Sequence, residues 1–185
     1  AIDETTRKYM GTLWNTYAFF ILYAEIDQFN PKEHPLDKAE LTLMDRWILS
    51  RLNSLVREVD DDLNEYKIFE ASRAMTDFVD DLSNWYVRRS RERFWGKGMA
   101  GDKEAAFATL YHVLETMSRL TAPFTPFMAE NMYRNLVCSV DKDAPISVHM
   151  TDFPVCDETY ISAELEQHMR DLLEVVVLGR SCRSE

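Results

Sequence analysis

The side chains best suited to chemistry in this 185-residue chain lie between Asn84 and Lys97, where five basic residues accompany a single acid. A guanidinium group can donate paired hydrogen bonds to phosphate oxygens, and an aromatic ring can stack on an unpaired base. This stretch is therefore a candidate surface for binding nucleic acid. The candidate binding residues are Asn84, Arg88, Arg89, Arg91, Arg93, Trp95 and Lys97.

On a helix, these side chains divide between two neighbouring faces. Arg88, Arg91 and Trp95 follow one another at steps of three and four residues, so they share the first face. The other two arginines follow Trp85 at steps of four and share the second face. All four arginines therefore cannot contact one phosphate backbone, and two or three contacts are expected. Trp85 also continues an apolar stripe, so we expect it to pack in the core.

A structural role for the same residues is the alternative. Glu92 can pair with Arg88 or Arg89 one turn away, and an arginine can also bind the acidic face of a neighbouring helix. The net charge of the chain is −11, which by itself disfavours an approach to phosphate. The distribution of charge matters more than its total, and the acids concentrate upstream, between Glu58 and Asp81. Residue chemistry leaves both roles open.

Catalytic and metal-binding patterns are missing from the sequence. It contains no glycine-rich phosphate loop, no G-x-S-x-G nucleophile turn and no H-E-x-x-H zinc motif. The acidic runs at 60–62 and 80–81 fall on predicted helix surfaces, so we interpret them as solvated faces. Cys138, Cys156 and Cys182 lack the spacing of paired ligands. We therefore predict no catalytic residue, no metal site and three reduced cysteines, as in an intracellular protein.

Apolar residues recur at steps of three and four along most of the chain, which predicts an all-α bundle of about five or six helices. The pattern indicates helices at about 5–28, 43–63, 68–95, 102–120, 125–137 and 163–178. Asp102 and Thr125 are the predicted caps of the fourth and fifth helices. Residues 139–160 are expected to be irregular, with a short extended segment at 146–150.

The composition is that of a soluble globular domain, with 46% hydrophobic and 29% charged residues. The most apolar run, at 17–24, is too short to span a bilayer, and the acidic first residues do not resemble a secretory signal. We therefore expect a cytoplasmic protein without a membrane partner.

The segment from Asp77 to Trp95 closely resembles a signature segment of isoleucyl-tRNA synthetases, and its part N-W-Y-V-R-R-S-R at 84–91 is the most discriminating. Six further segments fit in the family's order, at 13–20, 45–52, 109–111, 122–130, 147–150 and 178–181. The pattern A-P-F-x-P-F at 122–127 is less specific, because synthetases for valine, leucine and methionine have similar text. Some members carry a basic residue where this chain has Glu92, and that departure disfavours phosphate contact from this helix face.

The resemblance implies a class I aminoacyl-tRNA synthetase. Members of the family activate isoleucine with ATP and transfer it to the 3′ end of tRNA on a Rossmann catalytic domain, while an inserted domain hydrolyses mischarged valyl-tRNA. The helical domain that follows the catalytic lid binds the anticodon arm. The H-I-G-H and K-M-S-K-S motifs, which contact ATP, are absent from this chain. We therefore expect the anticodon-binding domain of an isoleucine–tRNA ligase, cut away from its catalytic body.

The resemblance also implies a division into three parts. These are a helical anticodon-binding bundle at 1–140, an irregular connector at 141–160, and a C-terminal helix at 161–185 that leads to distal modules absent from the chain. The implied partners are the anticodon arm of tRNA(Ile) and the parent catalytic domain in cis, with neither a membrane nor DNA. No cofactor is expected in the fragment, because ATP and magnesium belong to the parent catalytic domain.

Two alternatives remain at this point. The first is the same domain of a valyl- or leucyl-tRNA synthetase, which the sequence at 84–91 disfavours. The second is a helical scaffold that docks proteins without binding RNA, which would show no salt-dependent binding of tRNA.

We expect the 185-residue chain to fold as a helical domain that does not activate isoleucine, because it combines continuous apolar stripes with no ATP-binding motif. Circular dichroism measures its helix content, and isoleucine-dependent pyrophosphate exchange measures activation. Exchange above that of a buffer control would contradict the prediction.

Overall fold

Six helices run through the part of the chain that the computed structural model describes, residues 6–99 and 101–183. These described residues contain no strand, so the predicted all-α bundle is confirmed. None of the described helices is long and apolar enough to cross a membrane. Thr5, the predicted start of the first helix, lies outside the described residues, as do the predicted outer limits of the domain at 1 and 185. In chain order the helices are α1 (a π-helical turn, Thr6–Gly11, followed by the α-helix Thr12–Asp27), α2 (Leu43–Asn64), α3 (68–95), α4 (Asp102–Leu120), α5 (126–138) and α6 (Ala163–Ser181).

Helix α3 changes its winding within the segment that the sequence singled out. The α-helix Ile68–Asp80 passes into a π-helical segment, Asp81–Val87, and returns to α-helix at Arg88–Trp95. A π turn closes hydrogen bonds over five residues and is wider than an α turn. Residues spaced four apart in the sequence therefore stay on the side of α3 that faces the core. The buried residues with this spacing are Leu82, Tyr86, Ser90 and Phe94.

The change in winding also corrects one prediction. Trp85, expected in the core from a helical period of 3.6, lies at the edge of the core and is half-buried. Its neighbour Tyr86 is fully buried in its place. The ring of Phe94 lies 5.2 Å from that of Phe19 on α1 and 4.9 Å from that of Phe107 on α4. The far end of α3 is therefore held between two helices by aromatic packing.

Two predicted helix caps differ from the structure. Asp102 is the first residue of α4, and its carboxylate binds Arg93. Thr125 precedes α5 as predicted, but its hydroxyl lies 3.4 Å from the carbonyl oxygen of Thr121 and makes no capping bond. The cap position is therefore correct for Thr125 and wrong by one residue for Asp102, since Gly101 precedes α4. Neither side chain caps its helix, because partners elsewhere compete for it.

The segment between α5 and α6 packs on the bundle. Val148 is buried beside α5. The extended segment predicted at 146–150 is wrong, because Val148–Met150 forms a 3₁₀ turn. One carboxylate oxygen of Glu130 on α5 accepts hydrogen bonds from the Ser147 hydroxyl at 2.8 Å and from the backbone N–H of Val148 at 2.9 Å, which hold this turn against α5. The division of the chain into three parts stays a prediction.

A buried carboxylate joins three helices beneath the basic stretch. Asp45 in the first turn of α2 has no exposed surface, and its two oxygens accept hydrogen bonds from Arg93 on α3 at 2.8 and 2.7 Å. The hydroxyls of Tyr86 and Thr42 each donate to it at 2.7 Å. Nε of Arg93 binds Asp102 on α4 at 2.8 Å. The pair therefore holds the ends of α2, α3 and α4 together.

These contacts also determine the ionisation of Asp45. Burial by itself raises the pKa of a carboxyl group, but the hydrogen bonds from Arg93, Tyr86 and Thr42 favour the carboxylate. They outweigh burial, so the pKa of Asp45 lies below its usual value. Asp45 is therefore ionised at neutral pH, and the guanidinium of Arg93 has a charged partner there.

Replacing Arg93 with methionine is expected to lower the free energy of unfolding by about 3–5 kcal/mol, because the change leaves a buried carboxylate without its cation. The matched control is Arg91→Met, at an exposed position on the same helix, which is expected to change it by less than about 0.5 kcal/mol. Urea denaturation followed by circular dichroism measures both. Equal stability of the two variants would mean that the ion pair is not structural.

A pH dependence follows from the lowered pKa of Asp45. The contribution of this carboxylate to stability is present above the pKa of an unfolded aspartate, about 3.9, and is lost as the pH falls through the lower pKa of the folded state. We expect the difference in unfolding free energy between the wild type and Asp45→Asn to stay constant from neutral pH down to about 4 and to shrink below it. Urea denaturation at stepped pH measures the difference. A difference that does not change with pH would contradict the assignment.

Candidate nucleic-acid interface

The exposed surface at the end of α3 carries cations without carboxylate partners. Arg88, Arg89, Arg91 and Lys97 are exposed, and none forms an ion pair or a side-chain hydrogen bond within residues 6–99 and 101–183. Glu92 is also exposed and pairs with none of them, so the helix-internal pairing that the sequence allowed is not formed. The positive charge of these side chains is therefore available to an anion.

Arg93 differs from the other arginines of α3. Its side chain is only 13% exposed, and its guanidinium is bound to Asp45 and Asp102. A phosphate would have to displace one of these carboxylates to reach it. The geometry therefore does not favour the predicted phosphate contact and gives Arg93 a positioning role, which is the alternative that the sequence left open.

Two further predicted residues have partners within the protein and remain exposed. Nδ2 of Asn84 donates to the carboxylate of Asp80 at 2.6 Å, one turn earlier on α3. The indole N–H of Trp95 donates to the Tyr23 hydroxyl of α1 at 2.9 Å. Because 57% of Trp95 stays exposed, its ring is oriented by this bond while much of its surface meets solvent. Such a ring can stack on a base.

The loop after α3, which carries Lys97, is fixed by a buried lysine. Lys103 on α4 is buried, and its Nζ donates to a carboxylate oxygen of Asp27 and to the carbonyl oxygen of Gly96, each at 2.7 Å. This contact joins the end of α1, the end of α3 and the start of α4. Gly98 has a φ of 77°, a left-handed conformation that favours glycine.

Helix α6 is fastened to the bundle by the buried carboxylate of Glu166. One of its oxygens accepts hydrogen bonds from the hydroxyls of Ser50 and Ser54 on α2, at 2.5 and 2.8 Å. Arg51 lies 3.7 Å from the other oxygen and donates to Asp81 at 3.2 Å. The prediction of a solvated face is therefore wrong for Asp81, which is half-buried and ion-paired, because α2 places an arginine beside it.

Sequence reasoning missed a contribution from α6 to the basic surface. The guanidinium carbon of Arg180 lies 5.6 Å from the centroid of the Trp85 ring, and that of Arg89 lies 5.9 Å from the same centroid. The family resemblance at 178–181 was the one sequence signal near Arg180. Helical periodicity could not pair these residues, since it relates only neighbours within one helix.

Metal ligands do not converge in the described part of the chain. No group of three histidine, cysteine or carboxylate side chains there could hold a metal ion. Cys138, Cys156 and Cys182 form no disulfide among the described residues. The absence of a metal in the protein stays a prediction.

Comparison with known proteins relates the chain to tRNA ligases. The family described as the anticodon-binding domain of tRNA ligase matches residues 45–185. The isoleucine–tRNA ligase of Clostridium novyi is 51% identical over 183 residues, which cover 99% of this chain and 18% of the relative. Those of Clostridium tetani and Dehalococcoides mccartyi (strain ATCC BAA-2266) are 49% and 50% identical over 99% and 100% of this chain, and 18% of each relative is covered.

The matched region contains the residues that build the basic surface. It begins at Asp45, the buried partner of Arg93, and it includes the exposed arginines of α3 and Arg180 of α6. The chain spans 18% of the length of these curated relatives, so the match concerns one domain. Because the family covers more than half of the chain, this protein belongs to the anticodon-binding domains of tRNA ligases.

Proposed function

We propose that this domain binds the anticodon arm of tRNA(Ile) within a full-length isoleucine–tRNA ligase, whose catalytic domain lies in cis. The observation that carries the proposal is the set of exposed cations Arg88, Arg89, Arg91 and Lys97, which no carboxylate pairs with in the described residues. The family supports an RNA partner, and the printed names of relatives about 50% identical support isoleucine.

Charge distribution explains how so acidic a chain binds RNA. Its net charge is −11, whereas the end of α3 is locally basic. Phosphates are repelled from most of the surface and attracted to this end, so the charges orient an approaching tRNA. Each phosphate that an arginine or lysine neutralises releases counterions, which makes the affinity fall as salt rises. The same repulsion disfavours nonspecific binding to DNA elsewhere on the surface.

Trp95 supplies a contact of a different kind. Its exposed ring lies beside Lys97 in the chain and is held by the hydrogen bond to Tyr23. An unpaired base can stack on such a ring whatever its identity, because every base has a π face. We propose that one base of the anticodon loop stacks on Trp95 while Lys97 contacts the adjacent phosphate.

The chemistry of aminoacylation is assigned to other parts of the full-length protein. The chain contains no motif that binds ATP phosphates. ATP and magnesium would bind in the parent catalytic domain, and this domain would need no cofactor of its own. Its role would be to position tRNA in the cytoplasm, where proteins are made.

A protein-docking role is the second candidate, and exposed aromatic residues at the start of α3 favour it. Phe69, which is 72% exposed, lines a groove together with Tyr9 and Phe124, and the nearby Phe127 is 91% exposed. Phe69 lies roughly 30 Å from the exposed arginines along the axis of α3. Docking of the catalytic domain there is therefore compatible with RNA binding at the other end. A valyl or leucyl parent is disfavoured by the 49–51% identity to isoleucine–tRNA ligases.

In the full-length protein, Arg88→Ala and Arg91→Ala are each expected to weaken tRNA binding and to lower the magnitude of the slope of log K against log salt by somewhat under ~1 per lost phosphate contact. The matched control is Arg73→Ala, an exposed arginine at the opposite end of α3 without an ion pair among the described residues. It is expected to leave affinity and slope unchanged. Filter binding at several salt concentrations measures both quantities.

The free energy of unfolding of each variant is measured alongside. Arg88→Ala and Arg91→Ala are each expected to change it little, because exposed charges contribute little to folding. If Arg88→Ala and Arg91→Ala both keep the wild-type affinity and slope, the tRNA is held elsewhere. If the wild type shows no salt-dependent binding, the docking role is favoured instead.

A further inference from the structure

A tyrosine of α1 meets the indole of Trp95 at the basic end of the bundle. The indole N–H donates to the hydroxyl oxygen of Tyr23 at 2.9 Å. An indole nitrogen can only donate, so the tyrosine oxygen accepts in this contact and its own O–H proton is not used there. Within residues 6–99 and 101–183, that proton has no acceptor. The Tyr23 hydroxyl therefore keeps one donor for a ligand.

The ring of Tyr23 is held in place by aromatic packing. Its centroid lies 4.8 Å from that of Phe19, one turn earlier on α1. The ring of Phe19 lies 5.2 Å from that of Phe94, which is buried. Tyr23 itself is half-buried, so its ring packs on the bundle while its hydroxyl lies beside an exposed indole. Little side-chain freedom is therefore left to lose when a ligand binds.

A second contact fixes the backbone next to Trp95 against the same helix. Asp27, one turn after Tyr23 on α1, accepts a hydrogen bond from the buried Lys103 at 2.7 Å. The same ammonium group donates to the carbonyl oxygen of Gly96 at 2.7 Å. The neighbours Trp95 and Gly96 are therefore attached to two points of α1 that are one turn apart. The relative position of hydroxyl and indole is set before a ligand arrives, as a binding pair of defined geometry requires.

We infer that Tyr23 and Trp95 together bind one unpaired nucleotide of the RNA: its base stacks on the indole, and the tyrosine hydroxyl donates a hydrogen bond to an acceptor of the same nucleotide. The inference rests on the proposed function and extends the binding surface to α1, a helix that the basic stretch does not include. Because the N–H of an indole lies in the plane of its ring, the hydroxyl lies at the rim of the stacking surface. A nucleotide is larger than an indole, so its base edge or its ribose extends past that rim. The acceptor is a base atom or the ribose 2′-oxygen.

This contact differs in kind from those of the exposed arginines. Stacking tolerates every base, whereas a hydrogen bond requires an acceptor at one place. A phosphate contact makes affinity depend on salt, whereas a neutral hydroxyl releases no counterion. Tyr23 therefore adds selectivity to the binding of RNA without adding salt dependence.

The test uses the full-length protein and measures tRNA affinity at several salt concentrations. Tyr23→Phe removes the hydroxyl and keeps the ring. It is expected to weaken binding about 3- to 10-fold, as for the loss of one hydrogen bond, and to leave the slope of log K against log salt unchanged. The matched control is Tyr66→Phe, at an exposed tyrosine just before the opposite end of α3, which is expected to change neither quantity. Thermal melting of every variant separates binding from folding.

Trp95→Phe distinguishes a direct contact of Tyr23 from one that only orients the indole. Phenylalanine offers a ring for stacking but no N–H, so the hydroxyl no longer orients the side chain at position 95. If Tyr23 contacts the nucleotide, adding Tyr23→Phe to Trp95→Phe is expected to weaken binding by a further factor of about 3 or more. If the addition costs no affinity, Tyr23 only orients Trp95, and the inference is wrong.

Transcripts of the tRNA that are altered at one unpaired nucleotide at a time identify the acceptor. A 2′-deoxy substitution that abolishes the difference between wild type and Tyr23→Phe assigns the ribose. A base substitution that abolishes it assigns the base. Either result supports the inference. If no single change abolishes the difference, the hydroxyl does not contact a nucleotide and the inference is overturned.

The remaining outcomes separate this inference from the proposed function. If Tyr23→Phe binds tRNA like the wild type while Arg88→Ala and Arg91→Ala bind more weakly, the proposed function stands and the Tyr23 contact is refuted. If Tyr23→Phe lowers only the melting temperature, the hydrogen bond merely fastens α3 to α1. A Tyr23→Phe variant with a smaller salt slope would show that the hydroxyl acts through the neighbouring cations. A wild type that does not bind tRNA would remove both proposals.

Discussion

The ion pair between Asp45 and Arg93 is the constraint on which the basic end of the bundle depends. A carboxylate without exposed surface is costly to bury unless its oxygens are hydrogen-bonded and its charge is compensated. Arg93, Tyr86 and Thr42 satisfy both requirements. Because these partners come from α3 and from the residue that caps α2, the carboxylate is satisfied only when the two helices stand in one register. Asp102 extends the same requirement to α4.

This constraint decides which cations reach solvent. Tyr86 and Arg93 must both point toward Asp45, so the part of α3 between and around them is fixed in rotation. With that rotation, Arg88, Arg89 and Arg91 are exposed. The wider π turns of Asp81–Val87 allow Tyr86 and Phe94 to face inward together. A buried ion pair is weak evidence for high stability, but here it specifies an orientation.

A second buried carboxylate, Glu166, has the same role for α6. It is bound by two serine hydroxyls of α2 and approached by Arg51, so the helix is anchored near its start. From that anchor α6 runs toward the basic end of α3 and brings Arg180 to Trp85. The bundle thus has an end rich in exposed cations and an end rich in exposed aromatic residues, such as Phe69 and Phe127. That separation suits a domain with an RNA partner and a protein partner.

The sequence by itself determined the helices, the all-α class and the location of the basic surface, since helical periodicity and local charge are properties of neighbouring residues. It also carried the segments that resemble one synthetase family. It could not tell Arg93 from Arg91, because both are arginines on one helix and only the buried Asp45 separates their roles. Nor could a period of 3.6 predict the π winding that replaced Trp85 by Tyr86 in the core. Those assignments, and the meeting of Trp85 with α6, depend on contacts between distant residues, which only the packing of the helices decides.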